Sequence, residues 1–249
     1  MSRVFVVITL LLGFGGIKLP LEHRLTALQQ ELQLNPVRFD LGLREQLGQL
    51  GFIAALSGFR AIVADLVFIQ AHVAWEQTEW GRVLLLFREA TTLQPHAILF
   101  WDMAAWHMGW NASAAVAHDP DLRPAIRAKT QRDYYDLARD FLERGIHNNP
   151  DSSRLYESLA RLYKEKYNDH ARASEFFAKA AACPGAPAYD KRFAAYELSY
   201  CEGREREAYD ALLRLYDMGG QEHLPTLINR LKSMEEKLNI PPDRRIGDR

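Results

Sequence analysis

From Pro20 onward the apolar residues of this chain recur every three or four positions, and no stretch sustains a period of two. That pattern predicts helices throughout and an all-α fold class. Leu21, Leu25, Leu28 and Leu32 form one stripe of a short amphipathic helix that ends near Asn35-Pro36. A second, more apolar helix is predicted from about Arg44 through Ala74, with Ser57-Gly58 as its natural point of breakage. Its stretch Gly51 to Phe68 is apolar enough to suggest a membrane span, but Arg60 and Asp65 sit in the middle. Each charge would cost roughly 2.5 to 3.5 kcal/mol at a bilayer centre, so the segment reads as a buried soluble helix. Ahead of these lies Val4 to Ile17, without a charge. A run of that length is short for a span and suits a signal-peptide core; counted on to Leu21, with the Lys18 amine extended to the interface, it makes a thin span. No A-x-A site follows, so an uncleaved signal-anchor is preferred over a cleaved signal.

Internal repeats come next. Pro95, Pro150 and Pro184 each follow a helical stretch that carries alanines and a large apolar residue, and the last two are 34 residues apart. The clearest stretch, LYESLARLYKEKYNDHARASEFFAKAAACP, supplies Tyr156, Leu159, Ala160 and Tyr163, then Ala173, Phe177, Ala180 and Pro184. This resembles the tetratricopeptide repeat, a helix-turn-helix unit with the pattern W-x2-L-G-x2-Y, then A-x3-F, then Pro. The second helix of this repeat starts one residue late, which a longer turn at Tyr167-Asn168-Asp169 would absorb. An earlier repeat, about 64–97, has Ala71, Val83, Phe87, Ala90 and Pro95. The next, about 98–152, has Trp101, Ala104, Ala105 and Met108, then Ala138, Leu142 and Gly145, separated by an insertion near 116–127. A degenerate fourth, 187–217, has Tyr189, Phe193, Tyr196 and Tyr200, then Ala208, Leu212 and Leu215. A last helix, about Leu224 to Leu238 within 218–249, would cap the open end. The stretches GFRAIVADLVFIQA, LQP and WDMAAWHMGWN also look like a group of membrane-anchored bacterial proteins with such repeats.

The resemblance implies a helical-hairpin solenoid over 64–217, with a membrane or signal helix at 1–21 and additional helices over 22–63 packing on it. It also implies that first helices line a concave face that holds a peptide or partner helix. On that alignment the face presents Asp65, Phe68, His72 and Trp75, then Leu99, Asp102 and Trp106, then Arg154, Glu157, Arg161 and Lys164. Aromatic anchors at one end and donors for a carboxylate at the other would suit a protein partner. The competing reading covers Trp75 and Trp106 with the N-terminal helices and leaves the basic row as a solvated helix face. The carboxylate clamp of some family members is not carried over, because Phe68 and His72 stand where it needs a cation and an amide.

Composition narrows the partners. With 31 basic against 32 acidic side chains the chain has no field that would draw nucleic acid. Cys183 and Cys201 are too far apart for a C-x-x-C pair; they read as buried thiols, with one disulfide as the alternative. No H-x3-H or H-E-x-x-H spacing, no G-x-S-x-G elbow and no phosphate-binding loop occurs, so no cofactor, metal or catalytic residue is assigned. The expectation is a membrane-tethered protein-protein interaction scaffold, single-pass in the cytoplasmic membrane with its helical domain on the extracytoplasmic side, assisting assembly of an envelope complex. The alternatives are a binding module for a small apolar ligand or glycan near the tryptophans and, last, a divergent helical enzyme using Asp65, Asp102 or His107.

Overall fold

Small residues set how closely the helices of this chain approach one another. In a computed structural model that describes residues 48–49 and 59–246, every regular element is helical and no strand occurs among the described residues. The run Val4 to Ile17, the stripe Leu21 to Leu32 and nearly all of 44–58 lie outside them, so the expectations placed there are not addressed. Among the described residues no helix is long and apolar enough to cross a membrane.

The first hairpin pairs α1 (Arg60–Glu76) with α2 (Trp80–Leu93). Ala64, Val67, Ala71 and Ala74, at spacings of three and four, are buried on one face of α1 against α2. The turn is closed by Thr78 in the left-handed region, with φ 58°, and by Glu79 N–H donating to Ala74 O. Five consecutive residues of α2, Val83 to Phe87, are buried, so α2 is covered on all sides. Two long polar side chains tie the far ends of the pair: Arg60 donates to Thr92 O at 2.7 Å and Gln94 Nε2 to Ala61 O at 3.0 Å. The expected buried helix is corrected in one respect. α1 is buried only where α2 covers it, and its opposite side is exposed.

In the second hairpin the residues of the insertion expected near 116–127 form a non-helical tip, 118–123, with helix on either side. The hairpin's other extra residues lengthen both helices. α3 (Ile98–Trp106) runs through a wide π turn, His107–Ala112, into α4 (Ser113–Ala117), and α5 (Pro124–Asn148) returns over 25 residues. Between them the tip is pinned by Arg127, which donates to Asp119 O and Leu122 O, and Pro124 sits at the first turn of α5, where its missing N–H costs nothing.

The third hairpin joins α6 (Ser153–Leu162) to α7 (His170–Ala182). Ser152 and Asp169 cap the two helices by accepting from Leu155 N and Arg172 N. The extra residue noticed in sequence is held in a π turn, Tyr163–Tyr167, followed by Asn168 at φ 54°. The fourth hairpin is α8 (Ala188–Leu198) and α9 (Glu205–Tyr216), and α10 (Pro225–Lys237) follows. Leu227, Leu231 and Met234 of α10 bury themselves in the cluster of Ala195, Leu198, Ala208, Leu212 and Leu215. The tail is strapped to α10 by Ile246 N–H donating to Glu235 Oε1 at 2.8 Å.

Of the described residues, 59–100 and 110–134 form one unit, and 101–109 and 135–246 the other. In the second, each helix from α6 to α10 packs on the next in sequence. Most positions assigned from the repeat pattern are buried: Ala71, Val83, Phe87 and Ala90 in the first unit; Trp101, Ala104, Ala105, Met108, Ala138, Leu142, Leu159, Ala160, Tyr163, Ala173, Phe177, Ala180, Tyr196, Ala208, Leu212 and Leu215 in the second. Tyr156, Tyr189, Phe193 and Pro95 are only half-buried, and Tyr200, Pro150 and Pro184 are exposed.

In the second unit α5 crosses close over α3. A methyl group on Gly145 would meet Trp101 Cβ and Cγ at 2.9 Å and Leu155 Cδ1 at 3.2 Å, and Trp101 is fully buried with no room to move. Gly145→Ala should therefore destabilise the protein by about 1–3 kcal/mol, despite alanine's better helix propensity. Urea denaturation measures this; an unchanged or higher midpoint would show that α5 and α3 are not in close contact.

Candidate interaction face

In the second unit, the first helices of successive hairpins are joined by side-chain ties. Arg154 of α6 reaches α3, where its guanidinium grips Asp102 through Nε and Nη2 at 2.9 and 2.8 Å. Ser158, one turn along α6, donates to the other oxygen of the same carboxylate. Asp102 and Arg154 were assigned to one face from the repeat spacing, and the structure brings them into contact. The bond and the neighbouring charge hold the Arg154 guanidinium above its ordinary range. Arg154 is itself largely exposed, so the pair contributes about 1 kcal/mol or less.

The next tie runs from α6 to α8. Glu157 is buried, and its Oε2 accepts from the Tyr189 hydroxyl at 3.1 Å while Arg161 stands 4.0 Å from its Oε1. Burial, followed by the charge of Glu157, pushes the Tyr189 hydroxyl up in pKa. Lys164 reaches the buried Glu197 of α8 at 3.1 Å, and His170 Nδ1 lies 2.7 Å from its other oxygen. A buried carboxylate needs such partners, since an unpaired one costs several kcal/mol. Arg230 of α10 then donates to Tyr196 O, Ser199 Oγ and Tyr200 Oη and lies over the Tyr200 ring, which explains how Tyr200 is held on the surface.

The row of cations expected to serve a partner carboxylate is therefore already engaged within the chain. Arg154, Arg161 and Lys164 each face an acidic residue. What the face presents outward is Trp106, 45 % exposed, together with the exposed portions of Arg154, Arg161 and Lys164 beside their acids.

In the first unit, Asp65 and His72 are exposed and Trp75 is half-buried, its ring 5.0 Å from that of His72. Gln94 Nε2 lies 3.5 Å from Asp65 Oδ1. Phe68 is no surface anchor: it stacks on Phe100 at 4.8 Å and meets Phe87 edge-on at 5.8 Å. Leu99, given a place on the face, is exposed.

Sequence reading missed Ser158, Tyr189, Asp190, Glu197, His170 and Arg230. The one available signal was a lone acid inside an apolar stretch, as Glu197 in AAYELSYC. Asp190 is the most unusual of them. It is fully buried in the first turn of α8, and neither carboxylate oxygen has a hydrogen-bond partner. Burial, with a smaller contribution from the Glu157 charge, raises its pKa from the ordinary 3.8 to about 6. Cys183 and Cys201 are free and half-buried, their thiols pushed up mainly by burial. Among the described residues no cluster of His, Cys, Asp and Glu could hold a metal ion.

A concavity of about 650 Å³ lies between α7, α8 and α9. Its floor is alanine-rich, with Ala178, Ala182, Ala194 and Ala211, and its rim carries both signs, including Glu175 and Arg214. Comparison with protein-family models and with curated proteins returns no match for this chain.

Asp190 makes stability depend on pH in a defined direction. Its folded pKa lies above its unfolded one, so the folded state holds the proton more tightly. The protein loses stability as pH rises from about 4 through 6, and the loss is complete above that. Asp190→Asn should raise stability at pH 7 by about 1–3 kcal/mol and remove this part of the slope. Urea midpoints at pH 4, 5, 6 and 7 test it; parallel curves for the two proteins would show that Asp190 ionises freely.

Proposed function

We propose that this chain is a protein-protein interaction scaffold built from tetratricopeptide-like hairpins, tethered to the cytoplasmic membrane through Val4 to Ile17, with its helical part on the extracytoplasmic side, where it assists assembly of an envelope complex. The observation that supports this reading most is the agreement between the repeat pattern and burial. Most of the small and large positions assigned from the motif are interior, and what remains outward in this part of the second unit is Trp106 with the exposed portions of Arg154, Arg161 and Lys164, cations that already face acids within the chain. Internally paired polar residues hold a surface in one shape, and exposed tryptophan and arginine are the side chains that most often dominate protein interfaces. In the first unit, Asp65, His72 and Trp75 are kept as a second contact area, and Asp102, Arg154, Glu157 and Lys164 act by positioning the face rather than by donating to a partner.

A small-molecule reading has one observation in its favour, the alanine-floored concavity between α7, α8 and α9. Pull-down from detergent-solubilised membranes separates the two. Trp106→Ala combined with Arg161→Ala should lower co-purification of protein partners at least tenfold, Trp75→Ala should lower it less, and Lys232→Ala on α10 should leave it unchanged. A partner set unaffected by all of these would remove the face from consideration and favour the concavity.

A further inference from the structure

α1 is apolar on two opposite sides. One is buried against α2. The other carries Phe59, Ile62, Leu66, Ile69 and Val73, each a large apolar side chain between 44 and 59 % exposed. Their spacing is three, four, three, four. At about 100° per residue they fall within an arc of about 80°, centred opposite Ala64, Val67 and Ala71. A row this narrow, alternating three and four, has the form of a helix-helix seam. A face that lies on lipid is broader and bordered by basic residues, whereas the border here is Asp65, His72 and Glu76 on one side and Gln70 on the other. Apolar rows of this size on a soluble surface mark an interaction site.

We propose that this row is the docking face for the chain's own Leu21, Leu25, Leu28 and Leu32. Those leucines are spaced four, three, four, the same alternation. One antiparallel register pairs Leu32 with Ile62, Leu28 with Leu66, Leu25 with Ile69 and Leu21 with Val73; a parallel register pairs Leu21 with Ile62, Leu25 with Leu66, Leu28 with Ile69 and Leu32 with Val73. Either is within reach. With 44–58 helical as the sequence predicts and 33–43 extended, the segment from 33 to 58 can span roughly 60 Å, and the row from Phe59 to Val73 is roughly 21 Å long. A segment tethered this way is present at an effective concentration of order millimolar, far above that of a second copy of a membrane protein in solution or in detergent. Docking is independent of what the α3 and α6 face binds.

The test uses the full-length protein in detergent with Cys183 and Cys201 changed to serine. Leu28→Cys is combined in turn with Leu66→Cys, with Ile69→Cys and with Ala61→Cys, an exposed α1 position well outside the row. Mild oxidation should form an intrachain disulfide at least tenfold faster in one of the first two than in the third, seen by gel mobility and mass spectrometry. In otherwise unaltered protein, Leu66→Asp should speed amide exchange over Leu21 to Leu32 at least tenfold and leave α7 to α10 unchanged. Disulfides between two chains would overturn the proposal in favour of a second copy. Equal rates in all three pairs, or exchange over 21–32 that is fast already and insensitive to Leu66→Asp, would overturn it outright. Slowing of exchange across α1 only when lipid vesicles replace detergent would assign the row to the membrane instead.

Discussion

The close crossing of α5 over α3 constrains how the second unit packs around Trp101. Trp101 is large and fully buried, and it fits only because the residue facing it, Gly145, has no side chain. Ala104, Ala105 and Ala138 extend the same logic along the pair, so the two helices approach at a distance that larger residues would forbid. The tryptophan then supplies in one side chain the apolar area that the small residues around it lack. That crossing also sets where Asp102 stands, one residue after Trp101, and hence where Arg154 and Ser158 must reach. Packing comes first, and the polar face is laid on top of it.

Much of this was readable from the residues. Hairpins were expected at 64–97, 153–186 and 187–217 and are found as α1 with α2, α6 with α7, and α8 with α9. The final helix was expected from Leu224 to Leu238 and spans Pro225 to Lys237. Period and capping chemistry decide these, and both are local. The second hairpin was legible in its packing positions but not in its shape. Spacing reports how many residues intervene, and it cannot say whether they form a loop or two longer helices.

The candidate face was legible as a set of positions but not as a set of states. Arg154, Arg161 and Lys164 look alike in sequence, three cations at three- and seven-residue offsets on one helix face. What separates them is the acid that each meets on another helix: Asp102 at 52 residues' distance in sequence, Glu157 on the same helix, and Glu197 two helices on. Those pairings follow from the stacking of hairpins, which no local pattern contains. Phe68 shows the same limitation from the apolar side, because a phenylalanine on a first helix is an anchor or a core residue depending on whether Phe87 and Phe100 close over it.

The two π turns, His107–Ala112 and Tyr163–Tyr167, bear on how such a chain could have diverged. A wide turn houses an added residue without breaking the helix axis, but everything downstream is rotated relative to everything upstream by roughly 100°. Each insertion therefore acts as a phase step. Residues that once shared a face are dealt to different ones, and a motif defined by fixed offsets loses register at that point while the helix itself survives. Repeat arrays that accumulate such steps would drift beyond recognition by sequence comparison long before their hairpins lost their packing.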